Sequence, residues 1–252
     1  MRLALSVVLL SLCLAGCASG PWPRTSTTLD WTVCEVPWVE LQPPEGRRPV
    51  SVFGVVHVAD RAFFAEVQDA TNRCGRVLVE GVMTRADGSA SSPMVRYARA
   101  MTALSRTLQL VTQSEALVPR SWWLRADVGE AEFNAAGNTE MIASDMEREA
   151  ASLERYSSRD LARAEFARGI LAEHSDDRFL IQDRNKVVVQ ALAAEHGEGR
   201  IGVLYGAHHV PDLVSKLEQL GYRVGRIKWV PTFSYRTPED PYLRTGIGWR
   251  SW

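Results

Sequence analysis

A strand–helix–strand pattern near each end of the chain constrains the fold more than any other feature. Residues 50–56 form an apolar run that passes into His57. Asp60 can then cap a helix, on which Phe63, Val67 and Ala70 recur at helical spacing. Gly75 ends that helix, and residues 76–80 read as a second strand closing on Glu80. The second unit starts with a strand at 201–205 and continues into Gly206-Ala207-His208-His209. Its helix carries Val210, Leu213, Leu217 and Leu220 on one side, Gly221 can close it, and a last strand spans 222–230. Short apolar strands joined through helices pair in parallel and are covered on both faces. The chain is therefore expected to be α/β: a central, mostly parallel sheet with flanking helices. The stretch between the units, 85–198, is mostly helical in pattern and reads as an insertion. Ser158 can start a helix through Leu171, and Asp176 or Asp177 another through Ala194.

In an open α/β sheet, ligands sit beyond the carboxyl ends of the parallel strands. Three expected strands end there on a side chain that can bind metal or move a proton: His57, Glu80 and His209. A glycine stands three residues before each histidine, in Gly54-Val55-Val56-His57 and in Gly206-Ala207-His208-His209. Two histidines and a carboxylate suit a divalent metal with open coordination positions. They equally suit a metal-free site with one histidine as general base and the carboxylate orienting it. His208 would point elsewhere, and His174 and His196 lie at helix ends without an expected chemical role. Arg184 shares a helical stripe with Leu180, Val187 and Ala191, and a guanidinium on an apolar face requires an anion. It either pairs with a carboxylate such as Glu80 or reaches into the site to stabilise an oxyanion. Asp127 either joins the site from the insertion or caps the following helix. Gly197-Glu198-Gly199-Arg200-Ile201-Gly202 matches a dinucleotide-binding pattern, but it leaves a helix and enters a strand, so a phosphate would meet no helix N-terminus.

The N-terminus is an address. Arg2 precedes an apolar run at 3–14 and then Leu14-Ala15-Gly16-Cys17, which resembles the lipobox of bacterial lipoproteins. That resemblance implies cleavage before Cys17, multiple acylation of Cys17 and a membrane partner through the lipid anchor. The place implied is the bacterial cell envelope, the outer membrane before the inner, with the domain facing the periplasm or the exterior. Residues 18–45 read as a tether and irregular lead-in, because 18–30 are rich in Gly, Pro, Ser and Thr and Pro37, Pro43 and Pro44 follow. Residues 46–231 make the domain, and 232–252 an irregular tail. Removing the signal leaves about 235 of the 252 residues, enough for one sizeable core. The net charge of −1 comes without a basic block, which argues against nucleic acid as a partner. With Cys13 removed and Cys17 lipidated, Cys34 and Cys74 remain. In an oxidising compartment they either form a disulfide or stay as two separately buried thiols.

The motifs in order are Gly54-Val55-Val56-His57, Leu78-Val79-Glu80-Gly81, Asp183-Arg184-Asn185, Gly206-Ala207-His208-His209 and the closing Gly221-Tyr222-Arg223-Val224. Over residues 50–228 this series resembles the TraB/GumN family. That family includes the Tiki-like proteases and belongs to a superfamily with erythromycin esterase and the haem-binding lipoprotein ChaN. The resemblance implies a metal-dependent hydrolase acting on peptide bonds. His57 and His209 would be ligands, Glu80 a ligand or general base, and Arg184 the partner of an oxyanion or substrate carboxylate. The superfamily also leaves open a non-catalytic lipoprotein that binds peptide or haem, and a metal-free esterase-like hydrolase with His57 as base.

Overall fold

The computed structural model describes residues 22–28, 30–81, 91–135, 138–172, 178–196 and 198–237. The signal-like segment, Cys17, His174 and the end of the expected tail lie outside them. The chain opens with strands β1 (Arg24–Thr27), β2 (Trp31–Gln42), β3 (Val50–Val55) and β4 (Val58–Ala59), then helix α1 (Arg61–Asn72) and strand β5 (Arg76–Val79). The insertion supplies α2 (Pro93–Leu108), β6 (Val111–Thr112), α3 (Gln113–Ala116), β7 (Trp123–Arg125), α4 (Glu130–Ala135), α5 (Asn138–Leu153) and α6 (Arg159–Leu171). A π-helical turn (Arg178–Asp183) leads into α7 (Arg184–Ala194). Strand β8 (Ile201–Gly206), a 3-10 turn (Ala207–His209), α8 (Val210–Gln219) and β9 (Arg223–Arg236) complete it.

The main sheet has the order β1-β2-β3-β8-β5-β7, with β9 on the free side of β2. β3, β8, β5 and β7 run parallel to one another, whereas β1, β2 and β9 are joined to it antiparallel. The fold is α/β, with a sheet of mostly parallel strands. β8, the last parallel strand in sequence, is inserted between β3 and β5, pairing Val55 with Gly206 on one side and Val79 with Leu204 on the other. All six residues of β3 are buried, as a strand covered on both faces requires. Its side chains alternate between two cores. Phe53 and Val55 join the face covered by α1, α2 and α6, while Val50 and Val52 join the face covered by α7 and α8.

The structure departs from expectation where prolines mislead. Residues 18–45 are not uniformly irregular, for β2 is a twelve-residue strand that contains Pro37. Pro37 falls between the register with β1, which ends at Glu35, and that with β3, which begins at Trp38. A residue without an N–H is tolerated at such a gap. The last strand likewise runs on to Arg236 through Pro231, so residues 232–236 are strand rather than tail. The insertion is not only helical: β7 extends the parallel sheet beside β5. Finally, the buried stripe of α7 runs from Arg184 and Asn185 through Val188 and Leu192, at i+4 and i+8 from Arg184, rather than through Val187 and Ala191.

Cys34 and Cys74 are free and buried, not bridged. Cys34 lies in β2, where Thr232 donates to its carbonyl, and the Cys74 thiol donates to Ala70 O. Burial pushes both thiols up to about 11, which suppresses the reactive thiolate. Native protein should therefore react with a thiol reagent at these positions at least about 100-fold more slowly than denatured protein. Mass spectrometry of the labelled peptides checks this; fast native labelling or a Cys34–Cys74 cross-linked peptide would contradict it.

Candidate functional site

Four parallel strands end at one edge, and each is followed within three residues by a polar side chain. His57 follows β3, Glu80 follows β5, Asp127 follows β7 and His209 follows β8. Short backbone bonds hold these exits. Glu80 N–H donates to Leu204 O at 3.0 Å, Ala126 N–H donates to Val79 O at 3.1 Å, and Gln113 N–H donates to His57 O at 2.8 Å. The last bond, with the β4–β6 ladder, ties the His57 turn to the insertion. The two glycines that precede the histidines have separate steric reasons. A Cβ at Gly54 would stand 2.7 Å from Pro37 O, and one at Gly206 would stand 3.2 Å from Glu80 Oε2. Gly206 thereby lets its own N–H reach that carboxylate oxygen at 2.5 Å.

Arg184 is the hub. Its Nε donates to Asp127 Oδ1 at 2.9 Å, and its Nη2 donates to Asp127 Oδ2 at 2.6 Å and to Glu80 Oε1 at 2.8 Å. Nη1 reaches back to Leu180 O at 3.5 Å, and the guanidinium lies 5.6 Å from the centre of the Phe133 ring. The Asp127 side chain is fully buried and saturated, because Gly81 N–H and Val128 N–H complete its acceptors at 2.9 and 2.8 Å. Of the two roles expected for Arg184, the structure shows the pairing with Glu80. Of the two expected for Asp127, it shows the one that joins the site.

His209 is buried and its tautomer follows from its partners. Asn185 Nδ2 donates to Asp212 Oδ2 at 2.7 Å and to His209 O at 3.2 Å, so the amide oxygen must face the ring. That oxygen lies 2.7 Å from Nδ1, which therefore carries the proton. Nε2 is left with a lone pair 3.5 Å from Glu80 Oε1. Burial lowers the His209 pKa to about 4, against the pull of Glu80, so the ring is neutral near pH 7. Burial alone would raise Glu80, but the charges of His209, Arg184 and His57 and the Gly206 N–H override it and bring its carboxyl down to about 2. Glu80, Asp127 and Arg184 then leave one negative charge uncompensated, with two acceptors facing each other. Such a pair requires a proton, a water or a cation between them. The donor set suits a divalent cation, with imidazole nitrogen and carboxylate oxygen as ligands.

His57 lines the same cleft but remains exposed, its ring edge-on to Tyr97 at 6.3 Å. Among the described residues no three His, Cys, Asp or Glu side chains are already gathered around one point that could hold a metal ion. The structure thus joins Glu80, His209 and Arg184 directly, and brings His57 to their cleft without closing the triad. His208 was expected to point elsewhere, yet it lines the same cleft, where its Nε2 lies 2.6 Å from Ile170 O. Comparison with protein-family models, curated proteins and solved structures returns no match.

The cleft has a volume of about 730 Å3 and lies between the strand exits and the insertion. The sequence names Asn185 only as part of the Asp183-Arg184-Asn185 motif and assigns it no role; in the structure it orients His209. Sequence reasoning missed Tyr97, whose hydroxyl is driven up to about 12 by burial and by Glu80, so that it keeps its proton. A tyrosine on a helix carries no local signal of what it faces across the fold.

Two outcomes follow for stability. Asp127→Asn strips Arg184 of its bidentate partner inside the protein and should cost about 3–5 kcal/mol, read from urea unfolding. For His209, the folded pKa is depressed, so its contribution is complete above about 6.5 and lost as pH falls toward about 4. In chelator-treated protein, unfolding free energy should drop over that window by at most roughly 1.4 kcal/mol per pH unit from this group. His209→Gln should flatten that part of the profile; an unchanged slope would count against a buried neutral ring.

Proposed function

We propose that the cleft is the active site of a metal-dependent hydrolase that cleaves peptide bonds, as the resemblance to the TraB/GumN family implies. The observation that carries this reading is the lone pair of His209 Nε2 facing the ionised Glu80 at 3.5 Å, beside a cleft and within a cluster that retains one negative charge. His209 and Glu80 would hold a divalent metal and His57, from the opposite flank of β8, would complete the set. Such an ion, held by these residues, would supply a water activated as a nucleophile near pH 7.

The chain's own residues prepare that chemistry. Asn185 fixes His209 so that Nε2, not Nδ1, is presented, a constraint that metal-binding histidines generally need. Arg184 and Gly206 N–H hold the two Glu80 oxygens in place and keep the carboxylate ionised, while Asp127 neutralises the guanidinium. Because its strongest donors are committed to Asp127 and Glu80, Arg184 acts here as a positioning residue. Tyr97 of α2 packs edge-on against the His57 ring and flanks it from the insertion. The address belongs to the same proposal: acylation at Cys17 would anchor the domain to an envelope membrane. No helix among the described residues is long and apolar enough to cross one.

Purified protein should contain a divalent metal by elemental analysis, and should cleave members of a peptide panel in a manner abolished by chelator and restored by metal. His57→Ala, His209→Ala and Glu80→Gln should each lower kcat/KM by at least about 100-fold, with metal content lost in the histidine variants. Hydrolysis that persists in chelator but fails in these variants would replace the reading by a metal-free hydrolase. A folded protein with wild-type turnover in all three variants would remove the site altogether.

A further inference from the structure

The cleft has one polar end and one apolar end, and the difference between them defines what can enter. Glu80, His209 and Arg184 occupy the first. The second is walled by Met101 and Leu104 of α2, Met146 of α5, Phe166 and Ile170 of α6, and Ile181 of the π turn. These come from every long helix of the insertion, so the apolar end is a built feature of the roof. The cleft as a whole, at about 730 Å3, falls among cavities that enclose most of a drug-sized molecule. Methionine thioethers adapt to differently shaped apolar groups, which suits a site that accepts several such groups rather than one.

Charge narrows the choice further. Among the described residues, the carboxylates of the insertion that line the cleft are Asp145 and Glu149 on α5. Asp145 is paired with Arg148, and Glu149 is half-buried with its carboxyl raised by burial and by Asp145. At the polar end, four of the five N–H donors of Arg184 are engaged by Asp127, Glu80 and Leu180 O, and its charge is shared between two carboxylates. An anionic side chain placed among Met101, Leu104, Met146, Phe166 and Ile170 would lose its hydration to apolar surface, with Glu149 as the neighbouring polar group.

We propose that the site selects peptides with a large apolar residue (Leu, Met or Phe) beside the scissile bond and rejects those with Asp or Glu there. This rests on the hydrolase reading above and adds its substrate class. The apolar side chain lies against Met101, Leu104, Met146, Phe166 and Ile170, while the peptide group is placed at Glu80 and His209. Gly169 of α6 sets the depth of this subsite. It lines the cleft, and a Cβ there would meet only a Glu149 carboxylate oxygen, at 3.5 Å.

The test is a set of quenched fluorescent peptides that differ only at the residue flanking the scissile bond, assayed with metal-loaded protein. Leu, Met and Phe should exceed Ala in kcat/KM by at least about tenfold, the effect expected from burying such a side chain, and should exceed Asp by at least about 100-fold. Gly169→Leu, which replaces glycine inside a helix and should fold at least as stably, should reduce the Phe-to-Ala ratio by about tenfold or more. Binding of the same peptides to His57→Ala, measured by calorimetry, should keep the order Leu above Ala above Asp. Equal cleavage of the Leu and Asp peptides would overturn the selectivity while leaving the hydrolase reading standing. Ordered binding abolished by Gly169→Leu, with no cleavage by any metal form, would sustain the selectivity and remove the hydrolase. Long-chain acyl esters bound or cleaved in place of all the peptides would overturn the peptide as occupant.

Discussion

The molecule depends on one guanidinium held between two carboxylates at the edge of a parallel sheet. Arg184 binds Asp127 through two nitrogens and Glu80 through one of them, and thereby joins the ends of β5 and β7 to the start of α7. Burying these charges is costly, and a buried ion pair often contributes little net stability compared with an apolar replacement. What this cluster contributes is orientation. It fixes the Glu80 oxygens, and through the bond from Gly206 it fixes the exit of β8 as well. The next residue of the helix, Asn185, then fixes the ring of His209. Two adjacent residues at the head of one helix set both halves of the polar end.

The insertion is held over this edge by further arginines. Arg96 of α2 donates to Glu147 at 2.6 and 3.0 Å, and also to Glu140 and Ser144, so that α2 and α5 move as a unit. Arg163 of α6 is buried, and donates to three backbone carbonyls, Leu108, Gln109 and Ser234, which ties the end of α2 and strand β9 to α6. Its role differs from that of Arg184. It satisfies carbonyls that a helix end leaves open, whereas Arg184 compensates charge.

The parts that were legible in the sequence are those where local patterning and the final environment agree. The apolar runs at 50–56 and 201–205 are buried on both faces, and the residues after them sit where a parallel sheet must place them. The parts that were not legible each involve a local signal overridden by tertiary context. Pro37 argues against a strand, yet the β1/β3 side of β2 has no partner at that point, while the other side pairs Pro37 with Trp229 of β9. β7 is three residues long, too short to show periodicity, so the alignment of Asp127 with the other strand exits was hidden. Within α7 the buried positions run Arg184, Val188 and Leu192, a helical stripe one residue on from Val187 and Ala191, and two neighbouring stripes of similar apolar content cannot be told apart from the sequence. The contact between His209 and Asn185 links turns that are far apart in the chain, and single residue types do not announce such partners.

The order of the sheet also governs when the cleft can exist. β8 lies between β3 and β5, although about 120 residues separate it from the nearer of the two in sequence. A growing polypeptide that has emitted β3, β5 and the whole roof still has a slot at the centre of its sheet, and His57 and Glu80 face each other across it without His209. Assembly is therefore gated by completion of synthesis. Truncated products ending before residue 201 would lack the middle of the sheet and His209 together.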